Sequence, residues 1–393
     1  MNNNHIIVVN AGSSSIKFAI FDLNAPLQKI LYGVVENIQE IPVLKMFDQN
    51  NQLIKKAEFD QGSDYNFFFD LLFKTLESNE FGFNLVCAGH RVVHGGSDFI
   101  QPVFISDTII QSLKKFIPFA PLHQPYNLDA IEIIARMNPK LPQIACFDTA
   151  FHTTHPATAD RLGLPKIFAD EKIKRYGFHG ISYEFIVHQL RSFDALKPRV
   201  VIAHLGNGAS MCAVKDGKAI DSTMGFTTLD GLLMGTRCGS LDPGVILYFL
   251  QAKNMSPDEI ENMLYKQSGL LGVSGITSNM QRLLGSDDVH AKEAIDLFVY
   301  RIRKELGALA AALGGIDALV FTGGIGENAW QIREAVCRDS EWLGLELDLG
   351  LNKINQKVIN QKDSVVDVYV IPTDEEWMIA KHCLGLITNK RKV

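Results

Sequence analysis

An α/β fold of two duplicated domains with a cleft between them is what this sequence predicts. Strand patterns alternate with helical ones along the chain. One strand–turn–strand figure occurs twice, about half a chain apart. A length of 393 residues is also more than a single hydrophobic core usually organises.

From the N-terminus, Ile6 to Val9 is a β-branched run, Asn10 to Ser15 a tight polar turn, and Ile16 to Phe21 a returning strand that ends at Asp22. The figure recurs at Val200 to Ala203, with a turn from His204 to Ser210 and a return from Met211 to Val214 toward Asp216. Gly12 then matches Gly206, and Asp22 matches Asp216. Ile144 to Phe147 reads as a short strand ended by Asp148. Ser256-Pro257-Asp258-Glu259 supplies an N-cap, a first-turn proline and a capping-box glutamate, with Gly269 beyond the far end of that helix. Ile295, Phe298, Val299, Ile302, Leu306 and Leu309 mark one face of a long helix running to about Leu313, where Gly314-Gly315 stops it. Asp317 to Phe321 follows as a buried strand, and Thr322 to Asn328 reads as a glycine loop opening onto the next helix. Val366 to Ile371 is the last strand, and Glu375 and Glu376 open the last helix. The repeat places the domain boundary near Asp148. Residues 1–148, joined by the C-terminal helix 377–393, are expected to form one domain and residues 149–376 the other.

A composition that is 47% hydrophobic and 21% charged supports a full globular core. The net charge of −6 gives no pull toward nucleic acid or anionic lipid, so small-molecule chemistry is the expectation and neither nucleic acid nor membrane is an expected partner. The start of the chain has neither a positive region nor a long apolar stretch, and apolar segments elsewhere are broken before a membrane-spanning length. A cytoplasmic protein is expected. The six cysteines are scattered without a C-x-x-C pair, which fits reduced thiols in the core. His152-Thr153-Thr154-His155 lacks the glutamate of a zinc-protease helix and reads as a polar loop, so no zinc is assigned.

Glycine turns between strands let backbone N–H groups approach an anion without interference from a β-carbon. Such turns occur at Gly12, at Gly206 and Gly208, and at Gly323 to Gly326. Each alone also reads as a plain structural turn. None is a Walker A loop, and Gly324-Ile325-Gly326 lacks the third glycine of a dinucleotide fingerprint. Arg91, in Gly89-His90-Arg91-Val92-Val93-His94-Gly95-Gly96, and Arg237, in Gly235-Thr236-Arg237-Cys238-Gly239, are held close to backbone by small or apolar neighbours. A planar cation so placed suits a carboxylate or a transferring phosphoryl group, and equally a structural salt bridge. His179 reads as a third donor or as a hydrogen-bonded core histidine. Asp148 stands at a strand end, where α/β sheets place their ligands. Glu375 and Glu376 complement a helix dipole or hold a divalent metal beside phosphates.

Eight segments in this order carry a resemblance: NAGSSSIKF from Asn10, GHRVVHGG from Gly89, CFDTAFH from Cys146, RYGFHG from Arg175, HLGNGAS from His204, MGTRCGSLDPG from Met234, FTGGIGEN from Phe321 and PTDEE from Pro372. Together they resemble the acetate kinase family across essentially the whole chain. The resemblance implies two ribonuclease-H-like domains, as in sugar kinases, heat-shock chaperones and actin, around a nucleotide cleft, and a homodimer. It implies reversible transfer of the ATP γ-phosphoryl group to acetate, giving acetyl phosphate and ADP, with Mg2+ or Mn2+ as cofactor. By motif position, Asn10 and Glu375 would organise the metal and Lys17 would meet nucleotide phosphate. Arg91 would hold the acyl carboxylate, His179 and Arg237 would stabilise the transferring group, and Asp148 would be the acidic catalytic residue. His204, Leu205, Gly206, Asn207 and Gly208, with Gly324, Ile325, Gly326, Glu327 and Asn328, would line the nucleotide. Asn279, Met280 and Gln281 would lie near the adenosine. Val93, Leu122, Phe178 and Thr228 would form the acyl pocket. Two departures stand out: Asn279 and Gln281 replace an Asp and an Arg of many relatives, and Thr228 replaces a Pro. A propionate kinase shares nearly all the motifs. An actin-like or chaperone-like ATPase shares the nucleotide frame but has no use for Arg91, His179 and Arg237 together.

Overall fold

The computed structural model of the chain describes residues 4–24, 26–38, 40–77 and 81–390. The chain divides into two compact units, the first of residues 1–150 and 374–393, the second of residues 151–373. The sequence boundary of 376/377 thus moves to 373/374, and Glu375 and Glu376 fall in the first unit. The local cause is ionic: Asp374 pairs with Lys29 at 2.7 Å, and Glu375 lies 3.4 Å from Arg91.

The first unit is built on an eight-stranded sheet in the order β5-β4-β3-β2-β1-β6-β8-β7. Its strands are β1 (Asn4–Gly12), β2 (Ser15–Asp22), β3 (Gln28–Glu36), β4 (Val43–Asp48), β5 (Leu53–Glu58), β6 (Asn84–Val92), β7 (Val103–Phe104) and β8 (Gln143–Phe147). The neighbours β1, β2 and β3 pair antiparallel, whereas β1, β6 and β8 run parallel. The second unit has a five-stranded sheet in the order β11-β10-β9-β12-β13. These strands are β9 (Arg199–Leu205), β10 (Ala209–Lys215), β11 (Lys218–Ser222), β12 (Ala318–Thr322) and β13 (Asp367–Val370). Here β9, β10 and β11 pair antiparallel, and β9, β12 and β13 run parallel. The ladder β3-β2-β1-β6-β8 is therefore matched strand for strand by β11-β10-β9-β12-β13. In each, the repeated hairpin supplies the middle strand and its antiparallel neighbour.

Alternation along β1 decides what each face of the first sheet does, because successive side chains point to opposite sides. Ile7, Val9 and Ala11 join Phe18, Ile20, Phe69, Leu72, Ile133 and Ile134 in the main core of this unit. Residues of the other parity, Ile6, Val8 and Asn10, face the opposite side. There the C-terminal helix Glu375–Lys390 packs on β1 and β6. Gly89 makes this approach feasible: a β-carbon on it would stand 2.7 Å from both Cys383 Sγ and Ile379 Cγ2. Backbone and helix thus come as close as a missing side chain allows.

In the second unit the long helix Val289–Leu313 buries Phe298, Val299, Ile302, Leu306 and Leu309 and ends at Gly314 in the left-handed region. The helix Pro257–Lys266 carries the capping box of Ser256 and Glu259 that its sequence spells. The run Gly323–Asn328, read as a loop from its glycines, is itself a helical turn. Gly323, at φ +75°, backs onto the Leu205 backbone at 2.9–3.1 Å from where a β-carbon would be. The turn survives its poor helix propensity because Arg333 satisfies its last carbonyls.

Candidate active site

In the first unit the C-terminal ends of β1, β6 and β8 bring the predicted residues to one face. The β1/β6 register aligns Val8 with Gly89, and the β6/β8 register aligns Arg91 with Cys146. By the two-residue alternation, Asn10, Arg91 and Asp148 therefore share the side covered by the C-terminal helix. Lys17 pairs directly with Asn10 across the hairpin, so it lies on the same side, exposed. Glu375 sits in the first turn of the helix that covers this face.

Arg91 is gripped by both acids. Its Nε donates to Asp148 Oδ1 and Oδ2 at 3.1 Å each, its Nη2 donates to Oδ2 at 2.7 Å, and Nη1 lies 3.4 Å from Glu375 Oε2. The Asp148 side chain is only 2% exposed, that of Arg91 18% and that of Glu375 13%. Burial lifts the Asp148 carboxyl above its ordinary range; Arg91 opposes that shift and the Glu375 charge adds to it. For Arg91, burial works against the charge, but Asp148 and then Glu375 outweigh it and hold the guanidinium more firmly protonated than usual. Burial likewise pushes the Glu376 carboxyl up, against Lys29. An arginine fixed on one edge by a bidentate carboxylate is pre-oriented for a second planar anion.

The segment after Arg91 is fixed by two amides that composition alone does not flag. Asn127 accepts from Val93 N–H at 3.0 Å and donates to the Ala11 carbonyl at 2.7 Å, joining the β6 end to the first glycine turn. Gln124 accepts from His94 N–H at 3.1 Å and returns a hydrogen bond to the His94 carbonyl at 3.0 Å. Both amides belong to the first turn of the helix Gln124–Met137 and are buried. His90 binds Gln143 at 2.7 Å, and burial draws its pKa down to about 4; the same cause takes His94 down to about 3. Both histidines of this motif are neutral supports. Val93 is buried here, and Leu122 is half-buried.

In the second unit, His179 adopts the left-handed conformation (φ 59°) as it caps the helix Gly180–Ser192. Its Nδ1 meets Ser210 Oγ at 2.8 Å, and its ring stacks on His204 with centroids 4.4 Å apart and planes at 23°. Tyr183 OH also hydrogen-bonds Ser210 Oγ. His204 Nδ1 meets Ser182 Oγ at 2.9 Å, and Ser182 in turn meets Thr373 Oγ1 at 2.9 Å. Arg237 donates from Nη1 to the Thr228 carbonyl at 3.1 Å, and its own carbonyl accepts from Met234 N–H at 3.1 Å. Phe178 is fully buried, its carbonyl meeting His152 Nε2 at 2.9 Å.

The two donors converge on the glycine turn. A β-carbon at Gly208 would stand 3.5 Å from His179 Nε2 and 3.8 Å from Arg237 Nη1. The next two residues back, Gly206 and Asn207, open onto a cavity of about 930 Å³. Its wall includes Asn279, Met280, Gln281, Gly324, Ile325 and Asn328, as the motif positions suggest, and also Ser278, Leu284, Gly285, Ala329, Trp330 and Gln331. Leu205, Gly208, Gly326, His204 and Glu327 lie outside that lining. Glu327 instead accepts from Gly323 N–H at 2.8 Å and Thr373 N–H at 3.1 Å, tying the β12 end to the strand exit after β13. Ala329, Trp330 and Gln331 follow directly on the glycine motif, Ser278 precedes Asn279, and Leu284 and Gly285 end the short helix Met280–Leu284 that Asn279 caps. Only their adjacency to those motifs marks them in the sequence.

The chain matches the Acetokinase family over residues 5–381. It is 48% identical to the acetate kinase of Methylocella silvestris, over 97% of this chain and 98% of that protein. Among solved structures it is similar to Porphyromonas gingivalis acetate kinase, with a TM-score of 0.88, 36% identity and coverage of 98% and 100% of the two chains. It is also similar to a propionate kinase from Francisella tularensis, with a TM-score of 0.90, 38% identity and coverage of 96% and 98%.

The geometry of the first unit makes a stability prediction. Asp148→Asn keeps the shape but removes the charge that compensates a largely buried guanidinium, and it should cost about 3 kcal/mol. Urea unfolding followed by a spectroscopic probe measures this as a lower midpoint. A change below about 0.5 kcal/mol, the level of an ordinary surface substitution, would show that the pair is not coupled to the fold.

Proposed function

Because the chain belongs to the Acetokinase family, we propose that its residues carry out transfer of the γ-phosphoryl group of ATP to acetate as follows. An oxygen of the acetate carboxylate attacks the γ-phosphorus, the bond to the β–γ bridging oxygen breaks, and acetyl phosphate and ADP result. Acetate is already ionised at neutral pH, so no base is needed to generate the nucleophile. Transfer through a loose, metaphosphate-like state leaves the protein two tasks, positioning and neutralising charge on the equatorial oxygens. The observation that carries this reading is the convergence of His179 and Arg237 on Gly208, beside a cavity of nucleotide size.

In this reading His179 and Arg237 donate to the transferring group, and Ser210 orients the imidazole. Arg91 binds the acceptor carboxylate. Asp148 orients Arg91, a role supported by the commitment of both its oxygens to that guanidinium. Lys17 meets phosphate, and the 930 Å³ cavity takes the nucleoside. The Asn10 amide and the Glu375 carboxylate are hard oxygen donors of the kind Mg2+ takes. Among the described residues no group of three or more His, Cys, Asp or Glu is placed to hold a metal ion, so an ion here would draw most of its ligands from phosphate and water. Bound Mg2+ would supply charge neutralisation on the nucleotide phosphates.

A homodimer is proposed on a separate ground. The helix Pro243–Gln251 is almost wholly apolar, yet none of its residues is buried; Leu247 is 53% and Tyr248 52% exposed. A face of that kind on a folded chain calls for a partner, and a second copy satisfies it with a two-fold interface. No helix among the described residues is long and apolar enough to cross a membrane. We place the enzyme in the cytoplasm, where its ATP is supplied; recovery of the activity with the membrane fraction of lysed cells would overturn that placement.

The test of the reaction is to trap the product. Enzyme, MgATP and hydroxylamine with acetate should yield the acyl hydroxamate. Propionate should react roughly ten- to two-hundredfold less efficiently, since one methylene in an apolar pocket is worth about 1–3 kcal/mol, and butyrate less still. ATP hydrolysis without hydroxamate would instead support an ATPase of the actin or chaperone kind. Arg237→Ala should lower kcat/KM by about a hundredfold or more while the fold persists; near-normal turnover would remove Arg237 from the site. Glu375→Ala should raise the Mg2+ concentration required for half-maximal rate, and an unchanged titration would refute its assignment to the metal. Light scattering should find twice the chain mass of 43.7 kDa for the native protein and a single mass for Leu247→Glu/Tyr248→Glu. A monomeric native protein, or a variant that stays dimeric, contradicts the proposed interface.

A further inference from the structure

The cavity wall that runs through Ile325, Asn328, Ala329 and Trp330 is anchored on both flanks by one cation. Arg333, in the helix Trp330–Arg338, is wholly buried. Its Nη1 donates to the carbonyls of Gly326 at 2.8 Å and Glu327 at 3.0 Å, the last carbonyls of the glycine-rich helical turn. Its Nε donates to Asn352 Oδ1 at 2.8 Å, and its Nη2 to the Asn352 carbonyl at 2.7 Å and Asn355 Oδ1 at 2.6 Å. Asn352 carries the constraint onward by donating from Nδ2 to the Trp330 carbonyl at 3.0 Å. All five of the Arg333 acceptors are neutral. Burial draws the guanidinium pKa down to about 10, with a small opposing effect of Cys337, so the group is still a cation at neutral pH.

A buried cation without a carboxylate is an expensive way to hold a fold, because apolar residues of similar volume commonly serve stability as well or better. Its use here is explained by what it holds. Helix-terminal carbonyls have no partner within the helix, and the turn Gly323–Asn328 is rich in the residue least inclined to stay helical. Without an external donor at Gly326 and Glu327, the wall would lose its shape. A positive charge set under this wall also favours an anionic ligand in the cavity. We propose that Arg333 is a positioning residue for nucleotide binding, fixing the wall over residues 324–330 and lending it positive charge without touching the ligand. The inference rests on the assignment of this cavity to the nucleotide.

Three variants test it, with KM for ATP, KM for acetate, kcat, the calorimetric Kd for ADP and thermal unfolding measured for each. Arg333→Met should raise KM for ATP and Kd for ADP about tenfold or more, with KM for acetate and kcat changed less than about threefold, the pattern of lost ground-state binding. Arg333→Lys should fall between Met and the native residue, because it restores the charge but not the fork. Asn355→Gly is the gentle variant: Asn355 stands at φ 53°, which glycine adopts freely, so only the hydrogen bond to Nη2 is removed. It should raise KM for ATP about threefold in a normally folded protein. Unchanged nucleotide affinity in Arg333→Lys and Asn355→Gly overturns the proposal, even if Arg333→Met fails to fold. So does an equal loss for nucleotide and acetate. A native protein that binds neither ATP nor ADP would sink the nucleotide assignment itself, a result that the variants alone cannot produce.

Discussion

The Arg91–Asp148 pair is the fixed point of the first unit. Two parallel strands, β6 and β8, deliver the two side chains to one face of the sheet, and the register between them leaves little choice of geometry. Desolvating a carboxylate to 2% exposure is unfavourable, and what offsets it is the bidentate grip on a guanidinium that cannot lose its proton. The C-terminal helix then adds Glu375 to the same guanidinium. That addition depends on Gly89, since any side chain there would displace Cys383 and Ile379 and carry the first turn of the helix away from Arg91. A missing β-carbon on one strand thus sets where a carboxylate stands at the far end of a helix.

The second unit repeats the strand plan and furnishes its strand ends differently. Where the first has an arginine between acids, the second has a stacked histidine pair and a glycine turn. The chain of contacts His179–Ser210 and His204–Ser182–Thr373 runs across the ends of β9 and β10 to the exit of β13. Each member is short and buried or half-buried, so each has few rotamers to lose in holding its neighbour. Duplication thus supplied two equivalent frames, and the chemistry resides in what was placed on them.

What was legible in the sequence follows from how local the cause is. The hairpins, the capped helix at Ser256 and the long helix to Leu313 depend on residues adjacent along the chain and form where expected, although the first strand extends through Asn10 to Gly12, into residues read as the turn, and the long helix begins at Val289. The two arginines between glycines read as anion ligands or salt bridges, and Arg91 forms the salt bridge. Its proximity to Glu375 is beyond local reading, because the two residues lie far apart in the sequence. Gly323 to Asn328 read as a loop since glycine disfavours helix, and the donor that rescues it lies on the next helix. Arg333 itself gave no signal, for a basic residue on an amphipathic helix ordinarily reads as part of a solvated face. Gln124 and Asn127 were silent for a like reason: amides in a first helical turn suggest caps, whereas these reach across to the backbone of another segment.

In the proposed function Asp148 acts through Arg91, which it grips with both oxygens, and not on the substrate. The most direct measurement is a double-mutant cycle in kcat/KM for acetate with Arg91→Lys, Asp148→Asn and the combined variant, each checked for native unfolding behaviour. If the two residues work as one unit, the combined variant should be no more than about threefold worse than Arg91→Lys alone. Losses that multiply, so that the combined variant shows the product of the two single effects, would mean that Asp148 contributes independently and would contradict the account.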